Sequence, residues 1–241
     1  MKNKRNLNIC LTPENFSNYI ISDDAIVVIV DLLRATTVIS TAFHYGIKEI
    51  IPVQSISEAK KYLGKDNYIV AAERNAMAIE GFSYGNSPFQ YMNTDIKGKS
   101  LVLTTTNGTK AINIAKEYNV ITSSFINIDS VCNFLINTSE DVMILCSGWK
   151  GVFNLEDSIF SGCLAQRLLL SEKFNSNCDS VVASISLYNQ AKDNLFNFLA
   201  TSAHRKRLKN LNMEKDTMFC LMPEFKSNII PRLIRGRLVK D

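Results

Sequence analysis

Between residues 25 and 148 the chain carries six short runs of β-branched and aliphatic residues. They are AIVVIV (25–30), EIIPV (49–53), YIVAA (68–72), SLVLTT (100–105), NVITSS (119–124) and DVMILCSG (141–148). Each is apolar on both faces, as strands are when a sheet is covered on both sides. Helix-period segments separate or follow them: 37–45, SISEAKKYL (55–63), GTKAINIAKEY (108–118), SVCNFLIN (130–137) and LEDSIFSGCLAQRLLL (155–170). This alternation predicts an α/β fold of three layers, a mainly parallel or mixed sheet flanked by helices.

Beyond about residue 180 the pattern loosens. VVASISLY (181–188) reads as a strand. QAKDNLFNFLA (190–200) and SAHRKRLKNL (202–211) read as helices, and DTMFCLM (216–222) and IIPRLIRGRLV (229–239) as closing strands. MKNKRN (1–6) reads as a frayed end, not a targeting segment. A strand, a Thr-rich turn and a helix occur at 25–45 and again at 101–118, a pattern compatible with two similar intertwined halves and equally with convergence on one anion-binding geometry. The 241 residues suit a single domain over 1–241, with 125–180 the place for any subdivision.

Composition excludes several classes. The net charge of +4 is too small for a nucleic-acid footprint. The basic stretches HRKRLK (204–209) and PRLIRGR (231–237) read first as solvated faces, with an anion groove as the rival reading. Without a run of eighteen apolar residues, no membrane span is expected. Six cysteines without a C-x-x-C pair read as reduced, mostly buried thiols of a cytoplasmic protein. Two histidines, His44 and His204, make a zinc site a poor expectation.

Polar residues gather where the predicted strands end, which is where open α/β sheets bind ligands. VIVDLLRATT places Asp31, Arg34, Thr36 and Thr37 after the first predicted strand. Glu73 and Arg74 follow the third. Thr105, Thr106, Asn107 and Gly108 follow the fourth, where Asn107 or Gly108 is expected at positive φ. Ser147 and Gly148 follow the sixth, and Glu156 and Asp157 open a helix. A helix start offers free N–H groups and a positive dipole end to an anion, although such residues often only cap the helix. Arg34 suits a phosphate or sulfonate. The acids Asp31, Glu73, Glu156 and Asp157 are hard oxygen ligands that suit Mg²⁺; at Glu156 and Asp157 a plain dipole effect is an equal reading. GFSYGNSP (81–88) is a turn-rich loop, read either as a surface loop or as a wall over the strand ends that offers Asn86 and Ser87. His204 reads as a cap or surface residue before a catalyst.

The ordered set VIVDLLRATT, AAERNAMAIEGFSYGNSP, LVLTTTNGT, ILCSGWKG, NLEDSIFSG and SAHRKRL resembles the 2-phosphosulfolactate phosphatase family, from about residue 25 to 237. The resemblance implies an α/β fold and Mg²⁺-dependent hydrolysis of the phosphate monoester of a small 2-phospho acid, 2-phosphosulfolactate to sulfolactate, on the route to coenzyme M. Its implied catalytic residues are Asp31, Arg34, Glu73 and Arg74, and its metal ligands lie among Asp31, Glu73, Glu156 and Asp157. Thr36, Thr37, Asn86, Ser87, Thr105, Thr106, Asn107, Gly108, Ser147, Gly148 and His204 are expected to bind substrate. The partner is a small phosphorylated organic acid, with neither nucleic acid nor membrane; a homodimer is entertained. Arg34, a strand-end residue, is expected to be dispensable for folding.

Two rivals stand beside this reading. A haloacid-dehalogenase-type enzyme would use Asp31 as nucleophile but wants a second Asp where Leu33 stands. The other is a non-catalytic binding protein for an anionic metabolite, against which the intact acids and arginines count.

Overall fold

In the computed structural model, which describes residues 4–19 and 22–240, the strands join in one mixed sheet. In chain order they are β1 (Arg5–Cys10), β2 (Ile26–Val30), β3 (Glu49–Pro52), β4 (Tyr68–Arg74), β5 (Met77–Ala78), β6 (Ser100–Thr104), β7 (Asn119–Thr122), β8 (Val142–Cys146), β9 (Phe174–Asn175), β10 (Pro231–Ile234) and β11 (Arg237–Lys240). The helices are α1 (Ala35–His44), α2 (Ile56–Lys60), α3 (Gly108–Ile114), α4 (Ile128–Asn137), α5 (Leu155–Leu170), α6 (Asp179–Ala191), α7 (Leu195–Phe198), α8 (Ala203–Asn210) and α9 (Glu214–Leu221). All six apolar runs are strands, and the helix of residues 155–170 has the bounds its periodicity predicts.

The strand order is β5-β4-β6-β3-β11-β10-β7-β2-β8-β1-β9. Two parallel blocks, β4-β6-β3 and β7-β2-β8-β1-β9, are joined by the β10–β11 hairpin. That hairpin is antiparallel to β7 on one side and to β3 on the other, so the two blocks run in opposite senses. The turns after β2 and β6 nonetheless meet: a Cβ at Gly108 would stand 2.9 Å from Asp31 Oδ2. The chain crosses between blocks twice, by β2-α1-β3 and by β6-α3-β7. These crossings are the two units whose sequences echo each other.

Strand β2 shows why its run is apolar on both faces. Ile26, Val28 and Val30 pack with α4 and α5 on one side; Val27 and Ile29 pack with α1 and α3 on the other. Burial at about 25 cal/mol per Å² of apolar surface favours this two-sided strand over an alternating one.

Three expectations are corrected. VVASISLY lies inside α6: Val181, Ser184, Ile185, Tyr188 and Ala191 fall on one helical stripe, buried or partly buried. A Cβ at Gly162 of α5 would stand 2.0 Å from the Ser184 carbonyl oxygen, so close α5–α6 packing overrides the β-propensity of the segment. DTMFCLM lies in α9, where Thr217, Phe219, Cys220 and Leu221 are buried without period-2 alternation. Of MKNKRN, residues 1–3 lie outside the described residues, but Arg5 and Asn6 open β1, which is paired with β8 and β9. Arg5 also donates to the carbonyls of Leu135 (2.7 Å) and Ile136 (3.0 Å) at the end of α4, where a cation complements the helix dipole.

The six cysteines are free thiols, five of them buried. Among the described residues no helix is long and apolar enough to cross a membrane.

Candidate active site

The two crossing units meet at their turns. After β2 the Asp31 carbonyl accepts from the Thr36 N–H (2.9 Å) and its hydroxyl (3.0 Å), and the Thr37 hydroxyl donates to the Leu32 carbonyl (2.9 Å). After β6 the Thr109 hydroxyl donates to the Thr105 carbonyl (2.9 Å), and the Thr109 N–H donates to the Thr105 hydroxyl (3.2 Å). Both turns close with threonine hydroxyls spent on backbone. Thr36, Thr37 and Thr105, expected at the substrate, are therefore buried locks and do not line the cleft. Gly108 does not occupy positive φ, and Asn107 has φ −118°. Glycine is needed there for proximity: a Cβ would stand 2.8 Å from the Ala35 Cβ and 2.9 Å from Asp31 Oδ2.

The cleft, about 300 Å³ including its open mouth, is lined by Asp31, Arg34, Glu73, Asn86, Thr106, Asn107, Trp149, His204 and Arg207, among others. Asp31 Oδ1 accepts from the Ala35 N–H (3.3 Å), while its Oδ2 takes no hydrogen bond from the described residues. Burial raises the Asp31 carboxyl to about 6; nearby His204 pulls it down, and Glu73 and Glu156 push it up. Glu73, at the end of β4, accepts from the Ala76 N–H and from the N–H (3.3 Å) and hydroxyl of Thr106. Glu73 is thus buried and faces the cleft. Arg74 turns the other way, donating to the Glu73 carbonyl (2.6 Å) and the Thr104 hydroxyl (3.0 Å) in a neighbouring hollow.

Arg34 is buried. Its guanidinium pairs with Asp216 of α9 and donates to the Ala76 carbonyl (2.8 Å). The Ser87 hydroxyl donates to the other oxygen of Asp216 (2.9 Å), so Ser87 supports this pair and does not face the cleft. Its neighbour Asn86 does line the cleft, and Asn86 Oδ1 is buried without a partner. The 81–88 loop is thus a wall of the site. The expectation that Arg34 carries little of the fold is corrected: truncation would strand a buried carboxylate.

Glu156 and Asp157 open α5 but differ in place. Asp157 accepts from the N–H groups of Leu32 (2.8 Å) and Gly148 (3.1 Å) and from the Asn154 amide (3.0 Å). It ties the ends of β2 and β8 together and does not line the cleft. Burial, then Asp31 and Glu156, push its carboxyl well up, against the pull of those donors. Ser147 and Gly148 belong to the same tie: the Ser147 N–H donates to the Val30 carbonyl (2.7 Å), and neither residue lines the cleft. Glu156 is fully buried; its Oε1 lies 2.5 Å from His204 Nδ1, and its Oε2 has no partner. This contact assigns the His204 proton to Nδ1 and leaves Nε2 for the cleft, an assignment made from the hydrogen bond.

Sequence reasoning missed Arg207 and Trp149. Helix α8, the basic stretch read first as a solvated face, presents His204, Arg207 and Leu208 to the cleft. The Arg207 guanidinium lies 4.0 Å from the centroid of the Trp149 ring, and its Nε is buried without a partner. It makes no ion pair with the described residues. Burial lowers its pKa, against the fields of Glu73 and Glu156 that raise it. The three-residue spacing of His204 and Arg207 on a predicted helix was the available signal.

The donor set fits a hard divalent cation. Asp31 Oδ2 and Glu156 Oε2 are acceptors without donors, in a cluster of acids that repel one another. Among the described residues no three His, Cys, Asp or Glu side chains enclose an ion by themselves. Mg²⁺ ordinarily takes one or two carboxylates and completes its shell with water and substrate oxygens. Asp31 with Glu73 or Glu156 could supply that number.

Against known proteins, a family model described as 2-phosphosulpholactate phosphatase matches residues 10–235. The chain is 37% identical over 214 residues to a probable 2-phosphosulfolactate phosphatase of Caldanaerobacter subterraneus subsp. tengcongensis, covering 87% of this chain and 88% of that protein. It is 38% identical over 210 residues to the probable 2-phosphosulfolactate phosphatase of Thermotoga petrophila, covering 87% and 89%. To that of Clostridium beijerinckii it is 35% identical over 217 residues, covering 88% and 90%.

Proposed function

The chain belongs to the 2-phosphosulfolactate phosphatase family, and from that premise we propose that its cleft hydrolyses the phosphate monoester of a small 2-phospho acid, with 2-phosphosulfolactate the first candidate and Mg²⁺ the cofactor. The observation that carries this reading is the pairing, in one cleft, of an Asp31 carboxylate oxygen without a donor and an Arg207 guanidinium without an acid partner. One site is suited to a cation and the other to an anion, which is what a metal-assisted phosphomonoesterase requires.

Asp31, with Glu73 or Glu156, holds the metal. Bound Mg²⁺ would supply Lewis-acid polarisation of the phosphoryl group and lower the pKa of water. Arg207 grips phosphoryl oxygens and neutralises charge as the ester bond breaks; the Trp149 ring holds its plane in place. Asn86 adds an amide to the same wall. Arg34 adds N–H donors but little net charge, because Asp216 already balances it. His204 Nε2 is the ring atom left to exchange a proton with the attacking water or the departing oxygen.

The test is phosphate release from 2-phosphosulfolactate, phospholactate and phosphoglycolate, each with Mg²⁺ and with EDTA. Metal-dependent turnover, fastest on 2-phosphosulfolactate, is expected. Absence of turnover on all three would overturn the reading.

A further inference from the structure

Beside the reaction cleft lies a second hollow, of about 720 Å³ including its open mouth, lined by Trp149, Val152, Phe153, Leu155 and Ala203 with Glu156 and His204 among its polar edges. Trp149 and His204 line both spaces, so the two adjoin at these side chains. The loop that forms it is built, not slack. The Trp149 N–H donates to the Val152 carbonyl (2.7 Å) and the Val152 N–H to the Trp149 carbonyl (3.0 Å). A Cβ at Gly148, which has φ +58°, would stand 2.6 Å from that Val152 carbonyl oxygen. This fixed turn holds Val152 63% exposed and Phe153 42% exposed beside the chemistry. Clustered apolar exposure next to a polar site marks a surface that something covers.

The chemistry of the walls says what. A sulfonate or second phosphate finds no lysine or arginine among the lining residues, the His204 ring is already held by Glu156, and the buried Glu156 carboxylate would repel it. A hydrocarbon or aromatic group would lose water favourably against Val152, Phe153 and Leu155. Resting on the reading of the cleft as a 2-phospho-acid phosphatase, we propose that this hollow is a side-chain subsite. It admits phosphate monoesters of 2-hydroxy acids with an apolar or aromatic C3 substituent, whose phosphate and carboxylate remain in the cleft.

Trp149 is the chain's single tryptophan, so its emission reports occupancy without turnover. The experiment titrates the full chain with 3-phenyllactate and with lactate, following Trp149 fluorescence, and measures kcat/KM for the phosphate esters of both acids. It repeats both in Val152→Asp and in Phe153→Ala. We expect a saturable emission change with phenyllactate and a phenyl-to-methyl kcat/KM ratio of about tenfold or more in wild type. The ratio should fall by about tenfold in Val152→Asp and less in Phe153→Ala. Turnover of phospholactate or 2-phosphosulfolactate with no phenyllactate response and no phenyl preference would overturn the subsite and leave the phosphatase reading standing. An unchanged ratio in a folded Val152→Asp, with a dimer becoming monomer by sedimentation, would assign the surface to a second copy and overturn it as well. Binding of phenyllactate without hydrolysis of any ester would instead sink the phosphatase reading.

Discussion

The two walls of the cleft are built on opposite terms. On the strand-end wall nearly every conspicuous charge is already answered: Arg34 by Asp216, Glu73 by Thr106 and Ala76, and Asp157 by Leu32, Gly148 and Asn154. On the helical wall, α8 and the Trp149 turn present Arg207 with no acid partner among the described residues. The first wall fixes shape and, among the described residues, leaves Asp31 Oδ2 and Glu156 Oε2 without donors; the second keeps a positive charge in reserve for the ligand. Residues that stand out as charges in a buried context are chiefly those that build the site. Among the described residues of the cleft, a cation on an ordinary helix is left without an acid partner.

The largest effect that would break this contrast concerns Arg207. Arg207→Ala should lower kcat/KM by roughly two to four orders of magnitude, about 3–5 kcal/mol of transition-state stabilisation. Its melting temperature should move little, since no ion pair is lost. Arg207→Lys should restore only part, because a point charge cannot reproduce the bidentate fork.

Arg34→Ala should instead cost the fold. Breaking its buried pair leaves Asp216 uncompensated, a loss of about 3–5 kcal/mol, or roughly 10 °C in melting temperature for a chain this long. Arg34→Met with Asp216→Leu should recover most of that stability without recovering activity, since Arg34 lines the cleft as well. Equal melting temperatures for wild type and Arg34→Ala would erase the distinction between the walls.

Much of the first wall was legible because strand ends concentrate polarity against apolar runs. Asp31 and Glu73 were found that way, and Asn86 through the turn-rich 81–88 loop. What the spacing could not reveal was which groups the fold had already satisfied. Thr36 and Thr109 differ in no local feature from anion-binding hydroxyls until their backbone bonds are seen. Arg207 was hidden for the opposite reason: a helix reads basic residues as solvent-facing unless its packing partner is known, and Trp149 lies far away in sequence. The strand assignments of VVASISLY and DTMFCLM failed because helix-on-helix contacts such as Gly162 against Ser184 are non-local.

A smaller effect sharpens the role of Asp31. Its folded carboxyl titrates at about 6 against an ordinary 3.8. The Asp31 contribution to metal-free stability should therefore be fully present below pH about 4 and be lost, by roughly 3 kcal/mol, as the pH rises from about 4 through about 6. Asp31→Asn keeps the Oδ1 acceptor for Ala35 and removes the charge. It should raise metal-free stability at pH about 7 by up to that amount, with no gain below pH about 4. Chemical denaturation at both pH values in EDTA measures it. An Asp31→Asn gain that does not vary with pH would mean that Asp31 is not held against its own ionisation.

The smallest effect tests the junction of the crossing units. Gly108→Ala should cost about 1–3 kcal/mol from overpacking against Ala35 and Asp31, and should lower activity along with stability because it displaces Asp31 Oδ2. A neutral melt would show that the two turns are not in register with each other.

The most direct measurement of the central claim, that Arg207 is the unbalanced cation on which the substrate's anion rests, is chemical rescue. Arg207→Ala is assayed on 2-phosphosulfolactate with Mg²⁺ while guanidinium chloride is added at concentrations too low to unfold it, with sodium chloride as the ionic-strength control. A saturable recovery of about tenfold or more, specific to guanidinium, is the predicted result. Turnover by Arg207→Ala at the wild-type rate, before any rescue, would contradict the account.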